Sequence, residues 1–184
     1  RIQIRDEVLA DYVHAADVLN AAQVDVVCLQ HEYGIFGGAA GDHVMALLSR
    51  LAMPIVTTLH TVLAEPTPVQ RAVTAKITDV SARIIVMADK AQQLLQSVYH
   101  VPADKIEVIP HGIPDVPFAE PDQAKAIFGF TGRPVILTFG LLSPGKGIEV
   151  MIDAMPLILE RCPDAAYVVL GATHPNLVRQ EGEA

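Results

Sequence analysis

The 184-residue chain is 51% apolar and 18% charged, a composition that suits a packed core and excludes a disordered polymer. Its formal net charge is −8 and its Lys and Arg residues do not cluster, so no nucleic-acid partner is expected, because an acidic surface repels the phosphate backbone. No apolar run is long enough to cross a membrane, and no signal peptide is visible. Cys28 and Cys162 have no C-x-x-C partner and are interpreted as reduced thiols of a cytoplasmic protein.

Short apolar runs alternate along the chain with longer segments of helical periodicity. The apolar runs predict β-strands at residues 24–30, 54–60, 83–88, 105–110, 134–140 and 165–171. Because these runs are continuous, the strands are expected to be covered on both faces. Helices are predicted at residues 6–22, 42–52, 67–81, 89–98, 122–128 and 147–161, the last with a kink at Pro156. This alternation predicts an α/β protein with mostly parallel sheets.

The alternation stops at residues 111–123, where the segment HGIPDVPFAEPDQ contains three prolines and a glycine. Such a segment is typical of a linker, so the chain is predicted to divide into domains at residues 1–113 and 114–184. The second domain has only two predicted strands, which cannot form a stable open sheet alone. Since the chain also begins at Arg1 rather than Met, it is expected to be part of a longer protein.

A glycine-rich loop with a lysine, FGLLSPGKGIE at residues 139–149, lies between a predicted strand and a predicted helix. Backbone N–H groups and the positive end of a helix favour an anion there, and Lys146 adds a full charge. The simpler interpretation is a tight turn whose lysine points to water. A Mg²⁺-dependent P-loop is disfavoured, because Gly147 stands where that motif has Ser or Thr and because Pro144 lacks an N–H. The pattern favours a diphosphate site without a metal.

Polar residues follow three other predicted strands, at the edge where parallel sheets bind ligands. The segment QHEYGIFGGAAG at residues 30–41 supplies a candidate loop made of His31, Glu32, Gly34, Gly37 and Gly38. A flexible turn is the alternative for that loop. His60 ends another run and is a candidate for contacting a sugar hydroxyl or a phosphate. His111 and Gly112 begin the linker, where a simple hinge is the plain interpretation. The histidines show no H-x-x-x-H or H-E-x-x-H spacing, so no metal site is expected.

Taken together, these residues resemble the nucleotide-sugar glycosyltransferases of the two-domain GT-B fold, specifically glycosyltransferase family 4 (group 1). The resemblance is carried by four segments: TLH at 58–60, KIEVIPHGIP at 105–114, FGLLSPGKGIEVMIDAMPLIL at 139–159 and AAYVVLGATHP at 165–175. It implies a partial GT-B chain: the end of an acceptor-side, N-terminal Rossmann-like domain (1–113) and the start of a nucleotide-sugar-binding, C-terminal one (114–184).

The resemblance also implies a reaction. The family transfers a hexosyl group, mannose or glucose in many members, from a nucleotide-sugar donor to a saccharide, lipid or small-molecule acceptor, with retention of anomeric configuration and without a metal or other cofactor. Gly140, Lys146 and Gly147 would bind the donor diphosphate, His60 would be catalytic, and the loop around Gly34 would line the acceptor side. For a lipid acceptor, the family allows peripheral membrane contact of the full-length protein.

Two departures from the family pattern bear on activity. Leu141 stands where many members have an arginine, and the downstream E-x7-E region of the family lies beyond Ala184. The chain alone is therefore expected to be inactive. Two other hypotheses stay open at this point: a non-catalytic nucleotide- or sugar-binding module, and a P-loop-like NTPase.

Overall fold

The computed structural model describes residues 2–175, 177, 178 and 182. The chain divides into two compact units, Arg1–Ile113 and Pro114–Ala184, which are called unit 1 and unit 2. Each unit contains a parallel sheet, and the predicted α/β class is confirmed.

Unit 1 contains a four-stranded parallel sheet whose strands follow one another in chain order. The strands are β1 (Val27–His31), β2 (Ile55–Leu59), β3 (Arg83–Val86) and β4 (Ile106–Val108). All four fall within or beside the predicted runs. Their carboxyl ends lie at one edge of the sheet. β1 and β2 pair along their whole length, from Val27 opposite Ile55 to His31 opposite Leu59.

The helices of unit 1 are α1 (Leu9–Ala21), α2 (Met45–Leu48), α3 (Pro68–Val80) and α4 (Asp89–Tyr99). Short 3-10 turns occupy Tyr33–Ile35, Ala39–Val44 and Ala103–Lys105. The start of α3 is specified locally, because Thr67 and Gln70 form a reciprocal capping box and Pro68 holds the first helical position. The predicted helices 6–22 and 67–81 are confirmed with shorter bounds, and the predicted helix 89–98 is confirmed with its end one residue later.

The predicted helix 42–52 is wrong in its extent. The chain forms a 3-10 turn at Ala39–Val44 and only one helical turn at α2, because Ala40 and Gly41 have left-handed backbone angles just before it. Val44, Leu47 and Leu48 are nevertheless 1%, 8% and 2% exposed. The apolar spacing identified the buried face of this segment correctly, but a buried face does not require a long helix.

The sheet of unit 1 is covered on one face. Sequential parallel strands with right-handed connections place all the intervening helices on the same side. Residues of that face, such as Leu29, Ile55 and Ile84, are buried in the core. Their neighbours on the other face, such as Cys28 and Gln30, are exposed. The expectation of strands covered on both faces is therefore wrong for unit 1. The apolar runs were continuous because the second, exposed face of the sheet also carries aliphatic residues, so continuity did not indicate burial of both faces.

Unit 2 is a two-stranded parallel sheet with two helices: α5 (Pro121–Ile127), β5 (Val135–Phe139), α6 (Ile148–Arg161) and β6 (Ala166–Leu170). A 3-10 turn at Pro144–Lys146 precedes α6, which continues through Pro156. Among the hydrophobic residues described in unit 2, only Ala165 is buried, while Leu137 and Phe139 are 56% and 70% exposed. This agrees with the expectation that two strands provide too little sheet for a core.

No helix in the described part of the chain has the length and apolar character needed to cross a bilayer.

Candidate functional site

The predicted site residues of unit 1 meet where β1 and β2 end. The backbone N–H of His60 donates to the carbonyl of His31 at 3.0 Å. Thr61, the next residue, donates its hydroxyl to Glu32 Oε2. These bonds join the two loops beyond the strands, so His31, Glu32 and His60 form one cluster. This is the arrangement that parallel strands impose on residues at their carboxyl ends.

His31 is a core residue of this cluster. It is 1% exposed, and its ring lies between Tyr33, edge-on at 5.1 Å, and Phe36, stacked at 5.9 Å. Neither ring nitrogen has a hydrogen-bond partner. Burial lowers the pKa of His31 from its ordinary value, with His60 acting in the same direction and Glu32 in the opposite one. Burial against the two aromatic rings therefore favours the neutral form of His31.

Glu32 has both carboxylate oxygens engaged. Oε1 accepts the backbone N–H of Tyr33 at 3.0 Å, which caps the 3-10 turn Tyr33–Ile35, and Oε2 accepts from Thr61. The carboxylate thus ties the glycine loop to the end of β2. Its position accounts for an acidic residue here without a bound ligand.

The glycine-rich loop is packed rather than open. The Gly37 N–H donates to the hydroxyl of the fully buried Tyr12 at 3.1 Å, and that hydroxyl donates to the Asp6 carbonyl at 2.9 Å. A Cβ on Gly37 would lie 1.8 Å from Asp6 O, whereas a Cβ on Gly34 would meet nothing within 4 Å. A Cβ on Gly38 would lie 2.1 Å from an Asp42 carboxylate oxygen. Two of the three predicted loop glycines are thus required for close packing.

His60 and His111 line one pocket of about 310 Å³ on the exposed face of the unit 1 sheet. Their ring centroids are 6.2 Å apart. Ile85, Met87 and Ile109 give the pocket an apolar part, and Gln30 and Thr58 add polar groups. His111 therefore lies beside the predicted catalytic histidine as well as at the end of unit 1. Gly112 also lines the pocket.

In unit 2 the predicted diphosphate-binding residues also come together. The Lys146 side chain folds back over the end of β5, where a Cβ on Gly140 would lie 3.5 Å from Lys146 Nζ. Lys146 is exposed and forms no ion pair with a described residue. Gly147 has a left-handed backbone, φ 62°, and is the residue from which α6 begins. The ammonium, the strand end and the helix start thus share one small surface.

The backbone of this loop differs from an open phosphate cradle. The Lys146 N–H donates to Ser143 O at 2.9 Å and the Gly147 N–H donates to Pro144 O at 3.1 Å, so both are used within the turn. The N–H groups of the first turn of α6 have no intrahelical partner and can face an anion. A ligand here would rely on Lys146 and the helix start.

Gly171 is a residue of this site that the sequence analysis did not single out. It follows β6 directly, and a Cβ on it would lie 1.7 Å from Gly140 O. The pairing continues beyond the strands, because the Leu142 N–H donates to Ala172 O at 2.8 Å and the His174 N–H donates to Leu142 O at 2.9 Å. A glycine that ends an apolar run, as Gly140 does after β5, was the available signal.

The described residues contain no group of three or more His, Cys, Asp or Glu side chains arranged to hold a metal ion.

Two parallel sheets with loops at the carboxyl ends of their strands are the architecture of a GT-B-type fold, and solved structures of that fold resemble the chain. A glycosyltransferase from Rickettsia africae has the same fold, with a TM-score of 0.57 at 14% identity over 95% of this chain and 53% of its own. The Staphylococcus aureus MnaA–UDP co-structure also has a TM-score of 0.57, at 12% identity over 100% of this chain and 51% of its own.

The model of Glycosyltransferase Family 4 matches residues 5–115, and the chain belongs to that family. A D-inositol 3-phosphate glycosyltransferase from Mycolicibacterium gilvum is 30% identical in an alignment of 155 residues that covers 73% of this chain and 34% of that protein. A GDP-mannose-dependent alpha-(1-6)-phosphatidylinositol monomannoside mannosyltransferase from Mycolicibacterium smegmatis is 32% identical in an alignment of 74 residues that covers 38% of this chain and 19% of that protein. The chain spans about a third of the length of the curated inositol-phosphate relatives that it matches.

Proposed function

We propose that this chain acts in a retaining glycosyltransferase that moves a hexosyl group, mannose or glucose, from a nucleoside diphosphate sugar to an acceptor without a metal ion. Membership of glycosyltransferase family 4 supports glycosyl transfer. The name of the mycobacterial mannosyltransferase supports a nucleoside diphosphate sugar as the donor. Retention and metal independence rest on the family resemblance of the Lys146 loop.

The observation that carries this proposal is the position of Lys146 over Gly140. An exposed ammonium without an ion-pair partner among the described residues, at the carboxyl end of a parallel strand and beside a helix start, suits the diphosphate of a donor. A lysine in this position can also replace the charge that a metal ion would supply to a leaving diphosphate.

The chemistry assigns a clear task to that charge. During transfer, the bond between the anomeric carbon and the β-phosphate oxygen breaks, and its electron pair stays on the diphosphate. The acceptor oxygen forms the new glycosidic bond to that carbon, and its proton passes to the departing diphosphate. Lys146 and the first N–H groups of α6 would stabilise the charge that develops on the departing diphosphate.

Unit 1 would provide the acceptor side. His60 and His111 present imidazoles to a pocket that combines apolar and polar walls, which suits a polyhydroxylated ring. The relatives named for D-inositol 3-phosphate and for a phosphatidylinositol mannoside support a polyol, either small or lipid-linked, as the acceptor class.

The test is transfer by the full-length protein with GDP-mannose and UDP-glucose in the presence of EDTA. Removal of one group that stabilises the developing charge lowers turnover about 10²–10³-fold in comparable sites, and Lys146→Ala should do the same. Lys76→Ala, which removes an exposed lysine on α3, is the control and should transfer normally.

Three other outcomes would overturn parts of this proposal. Unchanged transfer by Lys146→Ala would remove the role of Lys146. Donor binding without transfer would indicate a non-catalytic binding module. Nucleotide binding that requires both ATP and Mg²⁺ would indicate a P-loop-like NTPase.

A further inference from the structure

A short hydrogen-bonded chain of side chains leads to His60 on the exposed face of the unit 1 sheet. Gln30 on β1 and Thr58 on β2 are register partners, and the Gln30 amide Nε2 donates to Thr58 Oγ1 at 3.3 Å. The other end of the same amide, Oε1, lies 2.8 Å from His60 Nε2. Residues 58 and 60 are two apart along the chain, so their side chains lie on the same face of the sheet and one glutamine reaches both.

The Gln30 amide determines which nitrogen of His60 carries the proton. An amide oxygen only accepts hydrogen bonds, so His60 Nε2 must donate to it. In a neutral imidazole, the second nitrogen, Nδ1, is then the acceptor. In this orientation the amide NH₂ group donates to Thr58 Oγ1. A reversed amide, accepting from the Thr58 hydroxyl, would instead make His60 Nε2 the acceptor, and the test below distinguishes the two.

We propose that Gln30 is a positioning residue that holds His60 as its Nε2–H tautomer and so leaves Nδ1 as the acceptor. The assignment of that acceptor to a ligand rests on the proposed function, whereas the tautomer itself does not. An imidazole held in this way accepts a hydrogen bond from a hydroxyl group and gives none from Nδ1. The predicted ligand chemistry beside His60 is therefore a neutral polyol hydroxyl rather than a carboxylate or phosphate oxygen, since those oxygens require a donor.

The test is the tautomer of His60, measured on the 184-residue chain by long-range ¹H–¹⁵N correlation of ¹⁵N-labelled histidine. The measurement is made at about pH 8, above the ordinary histidine pKa of about 6.5, so that free imidazole is neutral. The His60 signal is assigned by its loss in His60→Gln. The wild-type chain should show distinct nitrogens, with the proton on Nε2.

Three variants complete the test. Gln30→Leu removes the acceptor and should move the two His60 nitrogen shifts toward each other, because both tautomers become populated. Gln30→Glu keeps an acceptor oxygen at the same reach and should restore the wild-type pattern. Gln93→Leu, the same replacement at an exposed site on α4, should leave His60 unchanged.

A wild-type His60 protonated on Nδ1, or the same tautomer mixture in wild type and Gln30→Leu, would overturn the inference. Backbone amide spectra of each variant show that the sheet is still folded. Because the readout needs no nucleotide, it can succeed when glycosyl transfer fails. Transfer can equally succeed while the tautomer result is negative, so the two failures are distinguishable.

Discussion

The packing of the glycine loop predicts opposite effects for two similar substitutions. In Gly37→Ala the new Cβ would lie 1.8 Å from Asp6 O and 2.8 Å from His43 Nδ1, so backbone must move. Overpacking of this kind costs about 1–3 kcal/mol, and losing the Gly37–Tyr12 hydrogen bond at a buried site costs about 1–3 kcal/mol more. We expect Gly37→Ala to lower the free energy of unfolding by about 3 kcal/mol, which reduces Tm by roughly 10–20 °C in a unit of this size.

Gly34→Ala is the matched control. Its Cβ would meet no atom within 4 Å, and Gly34 has no left-handed backbone angle. Restricting the unfolded chain at such a position should stabilise the protein by about 0.4–1 kcal/mol. Urea unfolding followed by far-UV circular dichroism measures both variants, and hydrogen exchange of unit 1 amides identifies the transition. Equal stability of Gly37→Ala and wild type would refute the close packing of this loop.

Two further predictions concern His31 and Gly171. Burial lowers the pKa of His31 below the unfolded value of 6.5, so the unfolded chain binds more protons between the two values and stability falls as pH drops through 6.5. His31→Phe should remove this contribution to the pH dependence of stability, which is at most about 1.4 kcal/mol per pH unit. Urea titration should then give an unfolding free energy that changes less between pH 7 and pH 5 than in wild type. An unchanged dependence on pH would contradict the neutral state of His31. Gly171→Ala should abolish diphosphate binding measured by calorimetry, because its Cβ would lie 1.7 Å from Gly140 O and displace the strand end beneath Lys146, while Gly145→Ala, whose Cβ meets nothing closer than 3.9 Å, should bind normally.

Element types were predictable from the sequence wherever periodicity and local caps agreed. All six apolar runs contain strands in the structure. The capping box of Thr67 and Gln70 marks the start of α3, and this signal can be identified in the sequence. The helix predicted at 42–52 was too long, because Ala40 adopts a left-handed backbone angle that nothing in the composition predicts for a residue other than glycine. The prediction that helices cover both faces of the sheet was wrong for a different reason. The order of the strands decides which face the helices cover, and the sequence of one apolar run does not determine that order.

The candidate site was partly predictable for a topological reason. Residues that follow parallel strands meet at one edge, so His31, Glu32 and His60 could be grouped from their positions alone. Their individual environments could not be predicted, because the burial of His31 depends on Phe36 and Tyr33 folding over it. The excess of glycine was interpreted as a sign of ligand binding, and the structure gives Gly37 and Gly38 a packing reason as well.

Binding of nucleoside diphosphates to the isolated chain shows whether the Lys146 loop is a metal-independent diphosphate site. The measurement is calorimetric titration of the 184-residue chain with UDP, GDP and ADP in EDTA, for wild type and Lys146→Ala. A hydrogen bond to a charged group contributes about 1.5–3 kcal/mol, so one nucleoside diphosphate should bind without metal and lose roughly 10- to 150-fold in affinity on substitution. Equal affinity of the two proteins, or binding that appears only when Mg²⁺ is added, would contradict the assignment of this loop as a metal-independent diphosphate site.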